Sequence, residues 1–600
     1  MADQPQIKPS NFQYDKKDPT QQYTLAINGV AGLNNAMPFN QIEDNEFQQI
    51  YNVLPIAPFQ VRKLKSPTLI ATLPNKIVFF INDVINGSLI KFAVLADGSC
   101  GTISGSTYTQ VSGAGTFSGV AANIDYVNWI NQQFLIIDIN GYFAFNGTTL
   151  TTLPSGISAI AVNAGGSGYA VGDTFTVNNS VSGATLATCS VSSVSSGAVT
   201  GITITDSGTL YSISTGAATK ATTGTGSGLT VNITALTTLT GNTTIAVWQS
   251  RVFTAQGRTL NYSVAGSYAD FTSSGSGYLQ PSTSDMKMQI MKIVPYMDSV
   301  YLVCDHSILS LTGTTISNDP NNWYLMEVFN SLGTLNKFSV IDYNNTIYLK
   351  NEYGIWLVSS TQSEKLDYKL DSTLLTYPNL PATLAQINNL NFYMQIINGF
   401  SQVKGSLNNM ILAYCVDLGQ FYFLDFGFNI EGLYTTVSIT DHTIYVWDDQ
   451  NNLYSLLTGS NPVSVYMQSK YYDFNFDFIY KTILEIGTSL VLKSGTAQLQ
   501  ISGMAQSGKG FSSSQQQTQQ LSSPDLILLY SPSYPTIPIA LTNSFNQAIG
   551  LSSMIESLLT AIYYIGVGGI LVSFVFSENS NAVYDIINIY IKGQIGHPII

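Results

Sequence analysis

Residues 247–271 read "VWQSRVFTAQGRTLNYSVAGSYADF". Trp248 opens a run of apolar and polar residues in alternation, Gly257 sits in a short turn, and a second run leads through Ser263 to Asp270 and Phe271. Strand, polar turn, strand is the pattern of a β-hairpin. The stretch also carries Arg251 and Arg258, two of the three arginines in the chain, so it reads either as a basic site or as one unit of a structural repeat.

Its sister copies decide between the two. The same pattern returns in "FLIIDINGYFAFNG" from Phe134, "VYLVCDHSILSLTG" from Val300, "IYLKNEYGIWLVSS" from Ile347 and "IYVWDDQNNLYSLLTG" from Ile444, all without arginine. Aligning them brings Phe134, Phe253, Tyr301, Tyr348 and Tyr445 into register, with steps of 119, 48, 47 and 97 residues. Because 97 is close to twice 48, a further copy is expected between the last two, and "MILAYCVDLGQFYFLDFG" from Met410 is the candidate. A first copy is read at "IVFFINDVINGSLIKF" from Ile77. A period near 47 residues is the length of one four-stranded propeller blade. A single blade cannot bury both its faces, whereas a closed ring of blades can. The expected fold is therefore all-β with minor helix, a six- or seven-bladed β-propeller. A β-solenoid or a string of sandwiches is the alternative, and a solenoid rung would be shorter than these copies.

The 119-residue step is too long, and its excess has its own composition. From about 155 to 238 the chain is rich in Gly, Ser and Thr, with "AIAVNAGGSGY" echoed as "GITITDSGTLY" 42 residues later. The alternation around "GDTFTV" predicts an ordered, inserted β domain. After about Pro462 the blade rhythm stops. The expected organisation is an N-terminal arm over 1–60, mostly loop, propeller parts over 61–154 and 239–460, the insertion at 155–238, and a β-rich platform over 461–600. Helix is expected at "SSMIESLLTAIYYI" from Ser552 and, more weakly, at "PATLAQINNL" from Pro381.

Only 10% of the 600 residues are charged, against a usual share of about 25%. Acidic residues number 36 and basic ones 23, a net charge of -13 that gives little electrostatic reason to grip phosphates. The opening residues lack the apolar core of a secretory signal, so synthesis in a cytoplasm is expected. Cys100, Cys189, Cys304 and Cys415 are far apart, with no C-x-x-C pair, and are expected to be buried as small apolar side chains. Leu558 to Phe576 is 19 residues without a charge, close to the minimum for a membrane span. Its glycines, Gly566, Gly568 and Gly569, and the lack of flanking cations before Lys592 favour a buried element instead.

Candidate chemistry is sparse. Gly503 to Lys509 matches most of a phosphate-binding loop, but Gly510 stands where a hydroxyl should hold magnesium, and no apolar helical stripe follows. His306 and His442 flank Asp305 and Asp441 in what read as equivalent repeat turns, and rim turns are the expectation over metal ligation. Asp448 and Asp449 could serve a glycosidase in principle, yet they lie in a turn, where Asp is favoured for local hydrogen bonding. No catalytic, cofactor or metal site is expected.

The stretch around Trp248, Arg251, Gly257, Ser263, Asp270 and Phe271 resembles a segment of the tail-nozzle, or tail-hub, propeller proteins of short-tailed bacteriophages. "QIYNVLPIAPFQVRKLKSPTLIATLP" from Gln49 is similar to that family's first-blade region, and "AVYDIINIYIKGQIG" from Ala582 to its last platform strand. The family's basic ending is reduced here to Lys592, and the insertion is not a general family feature. The resemblance implies a homo-hexameric ring in the virion tail. Such a ring would meet head-to-tail adaptor and portal-proximal proteins, carry fibres or spikes, and let genomic DNA pass without sequence-specific binding. It implies no enzyme and no membrane span. The competing expectations are a carbohydrate-binding adhesin using Tyr353, Trp356 and Trp447, or a glycan hydrolase on the same scaffold. On the repeat reading, Arg251 is expected to pair with an acid such as Asp270.

Overall fold

Short β-branched and aromatic runs separated by tight turns satisfy their backbone groups most directly by pairing with the next run in the chain. The computed structural model describes residues 22–38, 41–181, 184–273, 275–280, 288–296, 299–312, 320–360, 362–371, 381–401, 403–435, 442–474, 479–507, 510–513, 516–522, 530–531, 534–538, 541–542, 548–549, 558–569 and 571–598. Among them are seven four-stranded antiparallel meanders. They are blade 1 (77–112), blade 2 (125–167), blade 3 (244–279), blade 4 (290–329), blade 5 (340–365), blade 6 (382–424) and blade 7 (430–455). Blade 7 has only three strands of its own, and Thr68–Thr72, from before blade 1, supplies the fourth by pairing with Asn452–Ser455. First and last parts of the propeller are thus hydrogen-bonded into one sheet.

The turn from first to second strand is a recurring device. At Asn344–Asn345 in blade 5 and Asn388–Asn389 in blade 6 both residues have positive φ, between 49° and 64°. Two consecutive left-handed residues make the type I′ hairpin turn, whose twist matches the strands it joins. Asn tolerates that conformation; Gln249 and Ser250 adopt it in blade 3 at φ 47° and 58°, at some strain.

The blades close into a ring through named contacts. Asn128 of blade 2 donates to the Asp83 carboxylate of blade 1 (3.0 Å), and Thr244 of blade 3 donates to Asp125 of blade 2 (2.8 Å). The Ile293 N–H of blade 4 donates to the Thr244 hydroxyl (3.3 Å), and Tyr296 donates to the carbonyl of Asn345 in blade 5 (2.6 Å). Tyr348 of blade 5 stacks on Tyr393 of blade 6 at 6.0 Å. Asn409 of blade 6 donates to the Ile430 carbonyl of blade 7 (3.0 Å), and Tyr434 of blade 7 meets Phe80 of blade 1 edge-on at 5.8 Å.

The insertion grows from blade 2. The long outer strand Leu150–Ser167 runs past the blade and pairs with Ser227–Thr238, and further strands extend that sheet around a core that includes Phe175, Cys189 and Val231.

The platform corrects several expectations. The expected loop-rich arm, 1–60, contains the strands Gln22–Ile27, Phe47–Tyr51 and Val53–Ala57 where it is described, and a fourth, Gln60–Lys63, begins at its end. Gln22–Ile27 and Gln60–Lys63 both pair with Val583–Pro598, and Phe47–Tyr51 pairs with Val463–Ser469. Through the parallel bridge of Tyr51 to Phe423, the blade 6 sheet continues into the platform. The helix expected from Ser552 is the strand Leu558–Gly569 where it is described, residues 552–557 lying outside the described residues. The weaker one from Pro381 is the strand Ala382–Ile387, the first of blade 6. In both, pairing with one neighbouring strand, Ile479–Ser494 for the first and Leu390–Ser401 for the second, overrides a helical pattern of apolar residues. The long apolar stretch 558–576 is likewise two strands in two different sheets, with Tyr563, Ile565, Val572, Phe574 and Phe576 buried. Among the described residues no helix is long and apolar enough to cross a membrane.

Candidate functional site

Contacts between blades that are not neighbours fill the centre of the ring. The hydroxyls of Tyr126 in blade 2 and Tyr434 in blade 7 share a hydrogen bond, and Phe338, which precedes blade 5, packs 5.9 Å from Phe79 of blade 1. Beside them lies a buried charge cluster. Asp125 accepts from Lys292 at 2.8 and 2.9 Å and from Thr244, while Lys337, in the 3-10 turn Lys337–Ser339, donates to the Thr243 carbonyl. Burial alone raises the Asp125 carboxyl. The ammonium groups of Lys292 and Lys337, with hydrogen bonds from Lys292 and Thr244, outweigh it and hold the carboxyl below its ordinary value. Burial lowers the Lys337 ammonium to about 7 against the opposing pull of Asp125. The cluster joins blades 2, 3, 4 and 5 through charge in a place where an unpaired charge would be costly.

Above this plug a cleft of about 1630 Å³ opens, lined by the connection from blade 4 to blade 5 and by turns of both blades. Among the described residues its titratable side chains include Asp305, Glu327, Glu352 and Glu431 against His306 and one lysine, Lys337. Leu335 and Tyr353 stand in it 64% and 63% exposed. Trp356 also lines it, but its indole N–H is held by Asn351 at 3.1 Å. Glu352, hydrogen-bonded to the Tyr353 phenol, raises that phenol above its ordinary value. Glu431 is shared with Lys76 (3.1 Å), and Asp305 accepts from the Gln289 N–H (3.2 Å).

The repeat residues read from sequence take structural positions. Phe134, Phe253, Tyr301, Tyr348 and Tyr445 are all buried on second strands of their blades, and Trp248 is buried at the end of a first strand. Tyr393 on the second strand of blade 6 fills the missing register position, 45 residues after Tyr348 and 52 before Tyr445. The copies read from Met410 and Ile77 are out of step by one strand, covering the third and fourth strands of blade 6 and the first and second of blade 1.

The expected Arg251–Asp270 ion pair gives way to two separate tasks. Arg251 is buried, donates to the carbonyls of Ser263 (2.7 Å) and Gly275 (2.6 Å), and lies over the rings of Trp323 and Tyr262. It thus fastens the long connection between third and fourth strands of blade 3 and touches blade 4. Asp270 accepts from the backbone N–H groups of Thr272 (3.1 Å) and Ser273 (2.9 Å) and from Thr185 of the insertion (3.2 Å). Burial raises its carboxyl, and these donors outweigh burial and lower it. Phe271, half-buried, meets Tyr142 edge-on at 5.9 Å.

Other candidates separate in space. His306 occupies the turn between second and third strands of blade 4, whereas His442 precedes the second strand of blade 7, so the two are not equivalent; Asp441 lies outside the described residues. Among the described residues no group of three or more His, Cys, Asp and Glu is placed to hold a metal ion. The Asp448 carboxylate accepts from the N–H groups of Gln450 and Asn452 and from Tyr454, which holds the turn. The phosphate-loop match lies on the hairpin of Thr496–Ser507 and Gly510–Ser513, followed among the described residues by the strand Gln517–Ser522; Lys509 lies outside the described residues. All four cysteines are buried and unpaired, and burial pushes the thiols of Cys100, Cys189 and Cys304 up to about 12. Of the aromatic rim expected for sugar binding, Tyr353 and Trp356 line the cleft, but Trp447 is buried beside Phe80, with Gly432 leaving room for its indole.

Sequence reasoning missed Asp125, Lys292 and Lys337. Two lysines in a chain this poor in charge, each beside strand-forming residues, were the available signal.

No family model matches the chain, and no curated protein matches it in sequence. Solved structures that overlay on it include the computationally designed Ika8 protein (11% identity, 65% of this chain and 99% of that one, TM-score 0.32) and BamB from Moraxella catarrhalis (9%, 65% and 99%, 0.32). AztD from Citrobacter koseri is a third (9%, 57% and 88%, TM-score 0.29). Overlap this slight carries no functional argument; the propeller rests on the strand pairing itself.

Proposed function

We propose that this chain is the structural subunit of a tail nozzle, or tail hub, of a short-tailed bacteriophage. The observation that carries the reading is mechanical: early and late segments are locked into one platform, and that platform shares a sheet with blade 6. A subunit that must bear load between a capsid and its appendages needs such continuity. On this reading the DNA channel would run between copies, at the axis of a homo-hexamer; contacts across the ring such as Tyr126 with Tyr434 and Phe338 with Phe79 support a channel outside any one propeller. Head-to-tail adaptor and portal-proximal proteins would bind at one end, and fibres or spikes outside. A net charge of -13 suits a channel that phosphates slide past without being held. The protein would then reside in the virion tail and make no bonds. Negative-stain images of the purified chain should show six-fold rings with a central hole. Monomers, or a ring whose lumen is strongly basic, would sink the reading.

A further inference from the structure

The cleft above the plug combines a groove with a one-sided chemistry. Its carboxylates, Asp305, Glu327, Glu352 and Glu431, are hydrogen-bond acceptors only when ionised. The one lysine among its lining residues turns away, since the Lys337 ammonium donates to the Thr243 carbonyl and faces Asp125. Trp356 has spent its N–H on Asn351. The charge of the groove is one-sided, and an ammonium or guanidinium group, which offers donors alone, complements these carboxylates. Between the carboxylates, Leu335 and Tyr353 expose apolar surface that folding has left uncovered. Exposed large apolar side chains inside an acidic groove fit a ligand that is cationic and apolar together.

From this we infer that the cleft is a docking groove for an extended segment of a partner protein in which Lys or Arg alternates with apolar residues. The cations meet Glu327 and Glu352, and the apolar side chains cover Leu335 and Tyr353. This goes beyond the nozzle reading and stands without it, because it depends on the cleft of a single chain and not on ring assembly.

The test is fluorescence anisotropy on the full chain with a fluorescein-labelled peptide of alternating Lys and Leu, at about 0.1 M salt, where screening acts over about 10 Å. Binding is expected, and a Glu/Leu peptide should not bind. The double substitution Glu327→Gln with Glu352→Gln should weaken the Lys/Leu peptide at least about tenfold, as for loss of two groove charges. Tyr353→Ala and Leu335→Ser should also weaken it, an effect that diffuse attraction to an acidic protein cannot produce. Asp342→Asn with Asp449→Asn removes two exposed charges that do not line the cleft and should leave affinity unchanged. Equal weakening by that control pair, or no weakening by the groove pair in a protein with unchanged thermal midpoint, would overturn the inference. Capture of neutral glycans on an array, with no peptide binding, would assign the cleft to carbohydrate and overturn it equally.

Discussion

Phe253 in blade 3 lies opposite Tyr262, nine residues away, whereas Gln22 in the platform lies opposite Gln594. Both regions are antiparallel sheet with buried apolar faces, yet one is assembled from neighbours and the other from the two extremes of the chain. In the ring, every meander except blade 7, which takes Thr68–Thr72 as its fourth strand, can form from its own hairpins. In the platform, the strands Gln22–Ile27 and Phe47–Tyr51 meet their partners only across hundreds of residues. Charge is used accordingly. Lys63 and Glu578 form an ion pair buried on both sides, Lys63 also donates to the Ser580 carbonyl (2.6 Å), and Arg62 grips Asp585 at 2.6 and 3.0 Å. Asn52 bonds the Asp425 carbonyl (2.8 Å) and the Ser464 carbonyl (2.7 Å), joining blade 6 to the platform. These directional contacts select one pairing among many that apolar patterning alone would allow. Strands distant in the chain are therefore held by buried ion pairs as well as by apolar packing.

The platform staple should show the largest effect. Lys63→Met leaves Glu578 buried without its cation and should cost about 3–5 kcal/mol in denaturant unfolding. Lys63→Met combined with Glu578→Leu should recover most of that loss. Equal losses in the single and double variants would mean that the pair is not what joins the chain's two extremes.

In the ring, Phe253→Ala opens a cavity against Tyr262 and Trp323 and should cost about 3 kcal/mol. Hydrogen exchange should locate the damage in blades 3 and 4, with platform amides 463–469 unchanged. Faster exchange there as well would show that ring and platform unfold as one unit.

A smaller effect tests the plug. Lys337 loses its proton near pH 7 in the folded chain and near its ordinary value of 10.5 when unfolded, so the unfolded chain holds more protons between those values. Stability should therefore rise with pH across that window, because the burial penalty is full below about 7 and fades above it. Lys337→Met should remove up to about one proton's worth of slope, measured as unfolding midpoint against pH. An unchanged slope would place the titrating group elsewhere.

The mildest change is Asp448→Ala, which removes turn bonds to Gln450 and Asn452 and should cost about 1 kcal/mol without altering the fold, as read by thermal unfolding and circular dichroism.

Legibility followed the same division. The ring was readable because Phe134, Phe253, Tyr301, Tyr348 and Tyr445 repeat at one position of a local unit, and a repeat reveals itself by comparison with its copies. Tyr393 escaped because its strand, Leu390–Ser401, runs on through Asn398 and Gly399, so the hairpin turn comes later than in the other copies. The platform was readable only as strand-rich, and its first strands, Gln22–Ile27 and Phe47–Tyr51, passed for an arm because their partners lie at the other end of the chain. The cleft was half visible. Tyr353 and Trp356 were singled out together with Trp447, but nothing local to Trp447 told that Phe80 of blade 1 would cover it.

By itself, the sequence determined the hairpin pattern, the blade period and the placement of the insertion, because each depends on residues close together in the chain. Tertiary structure alone decided that Thr68–Thr72 completes blade 7, that Asp125, Lys292 and Lys337 meet at the centre, and that Lys63 finds Glu578. An alternating pattern says which face of a strand is buried. It does not say against which strand, since every apolar face is an acceptable partner for every other until geometry and buried charge exclude all but one.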